Sequence, residues 1–237
     1  MKHILKNLSI AVALSSFCFQ SRAQVNDPLW GLQDIVKLAE TYRNIPNLNF
    51  SIDYIFADST NPGTPLETMS GQVKVSSGKS WTFIDSVEII QGNQYGLTIY
   101  HYDSMMIVND KKMYEDIMRL PILDSVFRQA NVDSVAFADA DTLRTLTLFF
   151  KPNSQYSKYV LVYHKLKFRL KEASFYIRDG IAQGTTAVFK VAISNYDETT
   201  PIDASIFNEW KYIHKTSGSF QAHPPYAHFT VINYSNN

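Results

Sequence analysis

With 237 residues, 45% of them hydrophobic and 14% aromatic, the chain has the material for a sizeable core in one large, sheet-rich domain. Its 22 Lys and Arg balance 22 Asp and Glu, which excludes the basic bias expected of a nucleic-acid or anionic-lipid binder. A single cysteine, Cys18, excludes a disulfide framework within the chain.

That cysteine stands in the N-terminal segment, where Lys2, His3 and Lys6 precede the apolar run LSIAVALSSFCF and then Ser-Arg-Ala ahead of Gln24. A cationic head, a short apolar run and small residues at the recognition positions form an export-leader pattern over residues 1–23, with cleavage expected after Ala23. The run is shorter than the about 20 residues a spanning helix needs. Phe17 occupies the position where a lipidation signal carries a small residue, so Cys18 is expected to leave with the leader. Residues 24–237 are then expected to form a single periplasmic domain. The leader takes Lys2, Lys6 and Arg22 but no acid, and a chain without cysteine must draw its stability from buried apolar area.

Asn26 and Asp27 precede Pro28, and Leu32, Ile35, Val36, Ala39 and Tyr42 follow at helical spacing, which predicts an amphipathic helix over 28–44. From Leu48 the period changes to two. Leu48, Phe50, Ile52, Tyr54 and Phe56 alternate with Asn49, Ser51, Asp53, Ile55 and Ala57, as in a strand with one apolar face. STNPGTPLE, with two prolines and a glycine, is expected to loop; SGQVKV resumes the alternation, and SSGK turns the chain back into KSWTFID. EIIQGNQYGLTIYHYDSMMIVND reads as two or three short strands broken at Gln91-Gly92-Asn93 and Asp103-Ser104. Pro121 ahead of Ile122, Leu123, Val126, Phe127 and Ala130 predicts a second short helix over about 121–131. SVAFADADTLRTLTLFFK is then a hairpin turning near Ala140, and YSKYVLVYHKLKFRLKEASFYIRDG one long strand or two joined by a bend. TTAVFKVAIS alternates with Ala187, Phe189, Val191 and Ile193 on one face, and HFTVINY is a last strand. The order predicts an α+β fold, a curved antiparallel β-sheet covered by a few helices.

LAETYRNIPNLNFSIDY at the end of the first helix, SGQVKV before a Lys- and Trp-bearing strand, LTIYHYDSMMIVND, FYIRDG before TTAVFKVAISNYDE, and IDASIF make the chain from about Leu32 to Phe207 resemble the LolA/LolB-like family of periplasmic lipoprotein carriers. The resemblance implies a half-barrel of antiparallel strands lidded by helices, with a lipid or an acylated protein as partner. No arginine matches the one such carriers use to hold the lid, and the tail from about residue 208 is an addition to the carrier pattern.

Alternate side chains of a strand share a face. Phe50, Ile52, Tyr54 and Phe56, joined by Trp81 and Phe83, form one expected bank of the concave face; Leu166, Phe168 and Leu170, with Phe189 and Val191, form a second. As a ligand site these banks line a cavity for acyl chains, where each CH2 withdrawn from water contributes about 0.8 kcal/mol. As core, they are filled by helix side chains, and the outer surface of an accessory protein meets envelope partners instead. A monomer with transient contact to a membrane surface is the expected state.

Other constellations are read as structural. His223 and His228 in HPPYAH stand five apart across two prolines, with no third ligand beside them, so a loop is expected rather than a metal site. Asp139 and Asp141 in DADT lack the oxygen series, central glycine and closing Glu of a calcium loop and suit a hairpin turn. In HYDS, alternation puts His101 and Asp103 on one face and Ser104 on the other or in the turn. There is no G-x-S-x-G elbow, glycine-rich phosphate loop or H-E-x-x-H. No cofactor and no enzymatic activity are expected, a hydrolase of scattered residues being the remaining alternative. Lys165, Lys167, Arg169 and Lys171 alternate and predict a basic, solvent-facing row, either edge protection or a contact for anionic head groups.

Overall fold

The computed structural model describes residues 24–26, 28–43, 45–111, 132–178 and 186–235. The expected leader and the expected helix over 121–131 lie outside the described residues.

The described chain runs β1 (Gln24–Asn26), α1 (Pro28–Arg43), β2 (Asn47–Asp58), β3 (Pro65–Ser76), β4 (Lys79–Ile84), β5 (Val87–Gln91), β6 (Tyr95–Tyr100) and β7 (Met105–Asp110). It continues through β8 (Val132–Ala140), β9 (Leu143–Phe150), β10 (Tyr156–His164), β11 (Arg169–Arg178) and β12 (Thr186–Asp197). The tail holds two 3-10 turns (Ala204–Phe207 and Glu209–Lys211), β13 (Ile213–Thr216), β14 (Ser219–Ala222), a third 3-10 turn (Pro224–Tyr226) and β15 (Thr230–Asn233).

Thirteen strands form one sheet in the order β1-β8-β9-β10-β11-β12-β2-β3-β4-β5-β6-β7-β15, and β13-β14 is a separate hairpin. The large sheet is curved and open, because β1 and β15 stand at opposite edges. Neighbours pair antiparallel except β15, which runs parallel to β7. The expected cover of a few helices is, among the described residues, the single α-helix α1.

Register decides which side chains share a face, since directly opposed residues of an antiparallel pair point the same way. Leu48, Phe50 and Ile52 of β2 oppose Val75, Val73 and Gly71 of β3. On the same inner face, Ile35, Leu38 and Tyr42 of α1 pack against Leu48, Phe50, Ile52, Val73 and Val75 and against Leu146, Leu148, Leu161, Tyr163 and Leu170. Spacings of three and four put those helix residues on one stripe, and the α1 stripe and the inner face exclude water together.

The outer face of β5–β7 has its own cover. Ile90, Leu97, Ile99, Met106 and Val108 cluster with Ile213 and Phe220 of the tail hairpin. Tyr95 meets Phe220 and Trp210 edge-on, with ring centroids 4.8 and 5.7 Å apart.

Three details differ from the sequence expectations. The loop after β2 is shorter than STNPGTPLE, because Pro65 opens β3, a first-residue position at which its missing N–H is tolerated. Of the two forms expected for YSKYVLVYHKLKFRLKEASFYIRDG, the structure has two strands joined at residues 165–168: His164 accepts at its C=O from the Phe168 N–H (2.8 Å) and at Nδ1 from the Lys167 N–H (3.3 Å), with Phe168 at φ 49°. The basic row is therefore not one strand face; Lys165 reaches Asp139 at 3.7 Å and Arg169 is paired with Glu198. His101 and Asp103 likewise sit in the turn 101–104 rather than on a strand.

Candidate functional site

The inner face is the candidate site, and α1 is held over one part of it by two polar latches. Toward the start of the helix, Asp34 is nearly buried and accepts from Arg144 Nη1 at 3.0 Å and from the Tyr163 hydroxyl. Arg144 turns its remaining donors to Asp139, Nε to Oδ1 at 2.7 Å and Nη2 to Oδ2 at 3.1 Å. Asp139, Arg144, Tyr163 and Leu170 are successive opposed residues on β8, β9, β10 and β11. The Arg144 hydrogen bonds hold the Asp139 carboxyl below the ordinary carboxylate range, and burial pushes the Tyr163 hydroxyl far above the tyrosine range.

At the other end of α1, Tyr42, Tyr196 and the Leu170 backbone close a ring. The Leu170 N–H donates to the Tyr42 hydroxyl at 2.9 Å, Tyr42 and Tyr196 share a hydrogen bond, and the Tyr196 hydroxyl donates to the Leu170 C=O. With both outer bonds so directed, Tyr42 is the donor to Tyr196. Burial raises the pKa of both phenols.

Four residues along β10 from Tyr163, about 13 Å at strand rise, a second row crosses the inner face. Val135, Leu148, Tyr159, Phe175, Phe189 and Phe56 are successive opposed residues on β8, β9, β10, β11, β12 and β2. Four adjacent strands thus contribute an aromatic at one level. Tyr159 and Phe175 stand with ring centroids 4.5 Å apart, Phe175 and Phe189 6.2 Å, and Tyr54 stacks on Phe189 at 5.7 Å. Exposure rises along the row: Tyr159 is 1% exposed, Phe175 and Phe189 are half-buried, and Phe56 is 38% exposed, with the exposed Glu67 opposed to it on β3. The next row, Leu161, Ala173, Val191, Tyr54 and Met69, is apolar as well.

The expected site residues divide accordingly. The structure brings Phe50, Ile52, Tyr54, Phe56, Leu170, Phe189 and Val191 to the inner face, where Phe50, Ile52 and Leu170 are core beneath α1. Phe168, in the turn, packs at its edge against Tyr163 at 5.9 Å, with Lys37 Nζ 5.4 Å from the ring centroid. Leu166, at the turn tip, is 80% exposed and joins neither bank. Trp81 and Phe83 point to the outer face, because Thr82 and Ile84 are the β4 residues that oppose Val73 and Gly71. Tyr159, Phe175 and Met69 were missed by sequence reasoning; their alternation is visible in KYVLVYH and EASFYIR, but only the register joins them to Phe189 and Phe56.

Trp81 serves a buried polar cluster on the outer face. Glu88 Oε1 accepts from Trp81 Nε1 at 2.6 Å and from the Tyr212 hydroxyl at 2.8 Å, and His101 Nε2 lies 3.2 Å from Glu88 Oε2. This fastens the tail to β5 and gives His101 a structural partner. His223 lies with its ring 4.9 Å from that of His214. No group of three or more His, Cys, Asp or Glu side chains is placed to hold a metal among the described residues.

No protein-family model and no curated relative matches the chain. Among solved structures, the chain is similar to a LolA superfamily protein from Nitrosomonas europaea, at 13% identity and a TM-score of 0.36, over 76% of this chain and 98% of that one. It is similar to a DUF1329 family protein from Desulfovibrio piger, at 13% identity and a TM-score of 0.39, over 78% and 99%. It is also similar to the Mycobacterium tuberculosis lipoprotein LppX, at 10% identity and a TM-score of 0.43, over 75% and 100%.

Proposed function

We propose that the protein is an exported, non-enzymatic binding protein or carrier that holds the acyl chains of a lipid or lipidated protein on the inner face of its sheet, in the periplasm. The observation that carries this reading is the aromatic row from Tyr159 to Phe56. It is apolar, spans adjacent strands, and is increasingly exposed away from its buried end. Burial of acyl methylenes there contributes about 0.8 kcal/mol each, and a single myristoyl-length chain holds to a membrane with an association constant on the order of 10⁴ M⁻¹. A face that buries one chain to a similar extent can therefore compete with the bilayer for it.

The second reading is an envelope interaction protein with a filled sheet. It is favoured by Ile35, Leu38 and Tyr42, which already occupy the part of the face over Leu48, Phe50 and Ile52. Equilibrating the purified protein with vesicles of labelled phosphatidylcholine and then separating the two decides between them. Stoichiometric acyl lipid retained by the protein is the expected result; none retained under any vesicle composition would overturn the carrier reading in favour of the second.

A further inference from the structure

Net neutrality conceals a segregation of charge along the sheet. β2–β7, residues 47–110, carry seven Asp and Glu against two Lys, a net −5, whereas β8–β11, residues 132–178, carry eight Lys and Arg against four Asp and Glu, a net +4. The sheet order puts these two groups of strands on opposite sides of β12, so one half of the molecule is acidic and the other basic. Such a field orients a protein toward a charged surface. The basic half ends in the β10–β11 turn, where Leu166 stands at the tip, 80% exposed, between Lys165 and Lys167. The two bonds accepted by His164 fix this turn, so Leu166 is presented to water on a set backbone. Of the cations around it, Lys165 is met by Asp139 and Arg169 by Glu198. Lys37, whose Nζ lies 5.4 Å from the centroid of the Phe168 ring, Lys167 and Lys171 are exposed and have no ion-pair partner among the described residues. Against these three stands Asp141, exposed in the β8–β9 turn, where the Thr142 C=O accepts from the Lys165 N–H at 3.0 Å. The turn is left with an excess of positive charge around one projecting apolar side chain.

We infer that this turn is a docking tip for an anionic bilayer surface, with Leu166 entering the interfacial layer while Lys37, Lys167 and Lys171 meet acidic head groups. An acidic protein would satisfy the lysines alone. A bilayer interface offers anionic groups and hydrocarbon within the depth of one side chain, which is the layering the turn presents. The inference goes beyond the acyl reading and does not depend on it, because it concerns where the protein rests and not what its inner face holds. Each lysine close to such a surface contributes about fivefold to affinity, and burial of the leucine about tenfold or more. Three lysines and one leucine, partly offset by Asp141, make a reversible contact that salt weakens.

The test is flotation of the purified protein with vesicles of phosphatidylcholine and with vesicles of phosphatidylcholine mixed with phosphatidylglycerol, at low and at high salt. The wild type is expected to favour the mixed vesicles by about tenfold or more at low salt and to lose that preference at high salt. Lys167→Glu is expected to weaken binding to the mixed vesicles by about 25-fold, two fivefold steps for a reversed charge, and Leu166→Asp by about tenfold or more. Both should melt as the wild type does, because both side chains are exposed. Lys79→Glu, in the acidic half, is expected to bind as the wild type. Equal binding to the two vesicles, binding to neither, no loss in Lys167→Glu, or an equal loss in Lys79→Glu would overturn the inference. Undiminished flotation of Leu166→Asp would overturn the bilayer as occupant in favour of an acidic protein. Labelled lipid kept by the protein after separation is read apart from flotation, so docking can fail while the acyl site stands, and the reverse. Should a variant fail to fold, the lipid and salt dependence of the wild type alone decides.

Discussion

A Cβ added to Gly92 would stand 2.0 Å from Glu209 Oε2, although 117 positions part the two residues in sequence. Glu209 is 0% exposed. Its carboxylate accepts from three successive backbone N–H groups of the β5–β6 turn: Asn93 at 3.0 Å, Gln94 at 2.7 Å and Tyr95 at 3.3 Å. Successive amides aimed at one point make an anion nest, and here the anion belongs to the protein's own tail. Gly92→Ala is expected to lower stability by more than ~2 kcal/mol, because the carboxylate must back out of the nest. Glu209→Ala should cost about 3 kcal/mol by leaving the buried amides unmatched. Urea unfolding measures both, and a loss under 0.5 kcal/mol in either, the ordinary range for surface changes, would show that the tail is not anchored here.

The Asp34–Arg144 latch predicts a loss of about 2 kcal/mol for Arg144→Met, since the removed cation is only partly buried while its partner is nearly covered. Asp34→Asn should do less when Arg144 is already gone than when it is present. A double-mutant cycle followed by urea unfolding measures that coupling; strictly additive effects would mean that the pair does not hold α1 down.

Stability should fall on both sides of neutrality. The carboxyls of Asp139 and Glu198 are held below their ordinary values, first by hydrogen bonds from Arg144 and Arg169. Asp58, Asp197 and Asp203 are held low by bonds from Thr60, Thr200 and Ser205. In acid the unfolded chain then binds more protons than the folded one. This stability is complete above the ordinary values of 3.8 for Asp and 4.5 for Glu, and it is lost as the pH drops through them toward the lowered folded values. The buried phenols act oppositely. Burial raises the pKa of Tyr42, Tyr159, Tyr163 and Tyr196, so their share is complete below 10 and declines as the pH rises beyond it. Urea midpoints measured from acid to alkali should trace this shape, and Glu198→Gln should flatten the acid limb.

The proposed acyl site predicts that variants at Phe56 and Trp81, on opposite faces of the sheet, separate binding from stability. Phe56, 38% exposed at the open end of the aromatic row, should tolerate Phe56→Ser with little change in melting temperature while affinity for acyl lipid falls several-fold. Trp81→Ala on the outer face removes a ring stacked on Phe83 at 6.2 Å and a donor to buried Glu88. It should cost about 2–3 kcal/mol of stability and leave lipid affinity unchanged. Vesicle binding and thermal melts of the two variants, run together, test the division, and a reversal would place the ligand on the other face.

Local pattern determined a good deal. A period of three and four made 28–43 a helix with Ile35 and Tyr42 on its buried stripe, although Val36, expected there, is 51% exposed and Leu38, not expected, is buried, and a period of two made β2 a strand with Phe50, Ile52, Tyr54 and Phe56 on one face. Both follow because helical and strand periodicity are set by backbone geometry within a few residues. Alternation says that Trp81 and Phe83 agree with each other, but not that they agree with Phe50. That choice is made by the β3–β4 register, where a shift of one residue exchanges the faces. The turn at 165–168 depended on capture by His164, and nothing in HKLKFRL distinguishes that turn from continued alternation.

The polar anchors were the least legible part. Glu88 with Tyr212, Asp34 with Arg144, and Glu209 with the amides of 93–95 are each held by partners more than a hundred positions away. In sequence each looks like an ordinary charged residue expected at the surface. By itself the sequence determined the helix, most strands of the large sheet though not β1 or the β13–β14 hairpin, and part of the apolar content of the inner bank. Only the tertiary structure decided which bank faces α1, how exposure changes along it, and which tyrosine hydroxyl on it has no partner among the described residues, because those depend on register and on groups that folding alone brings together.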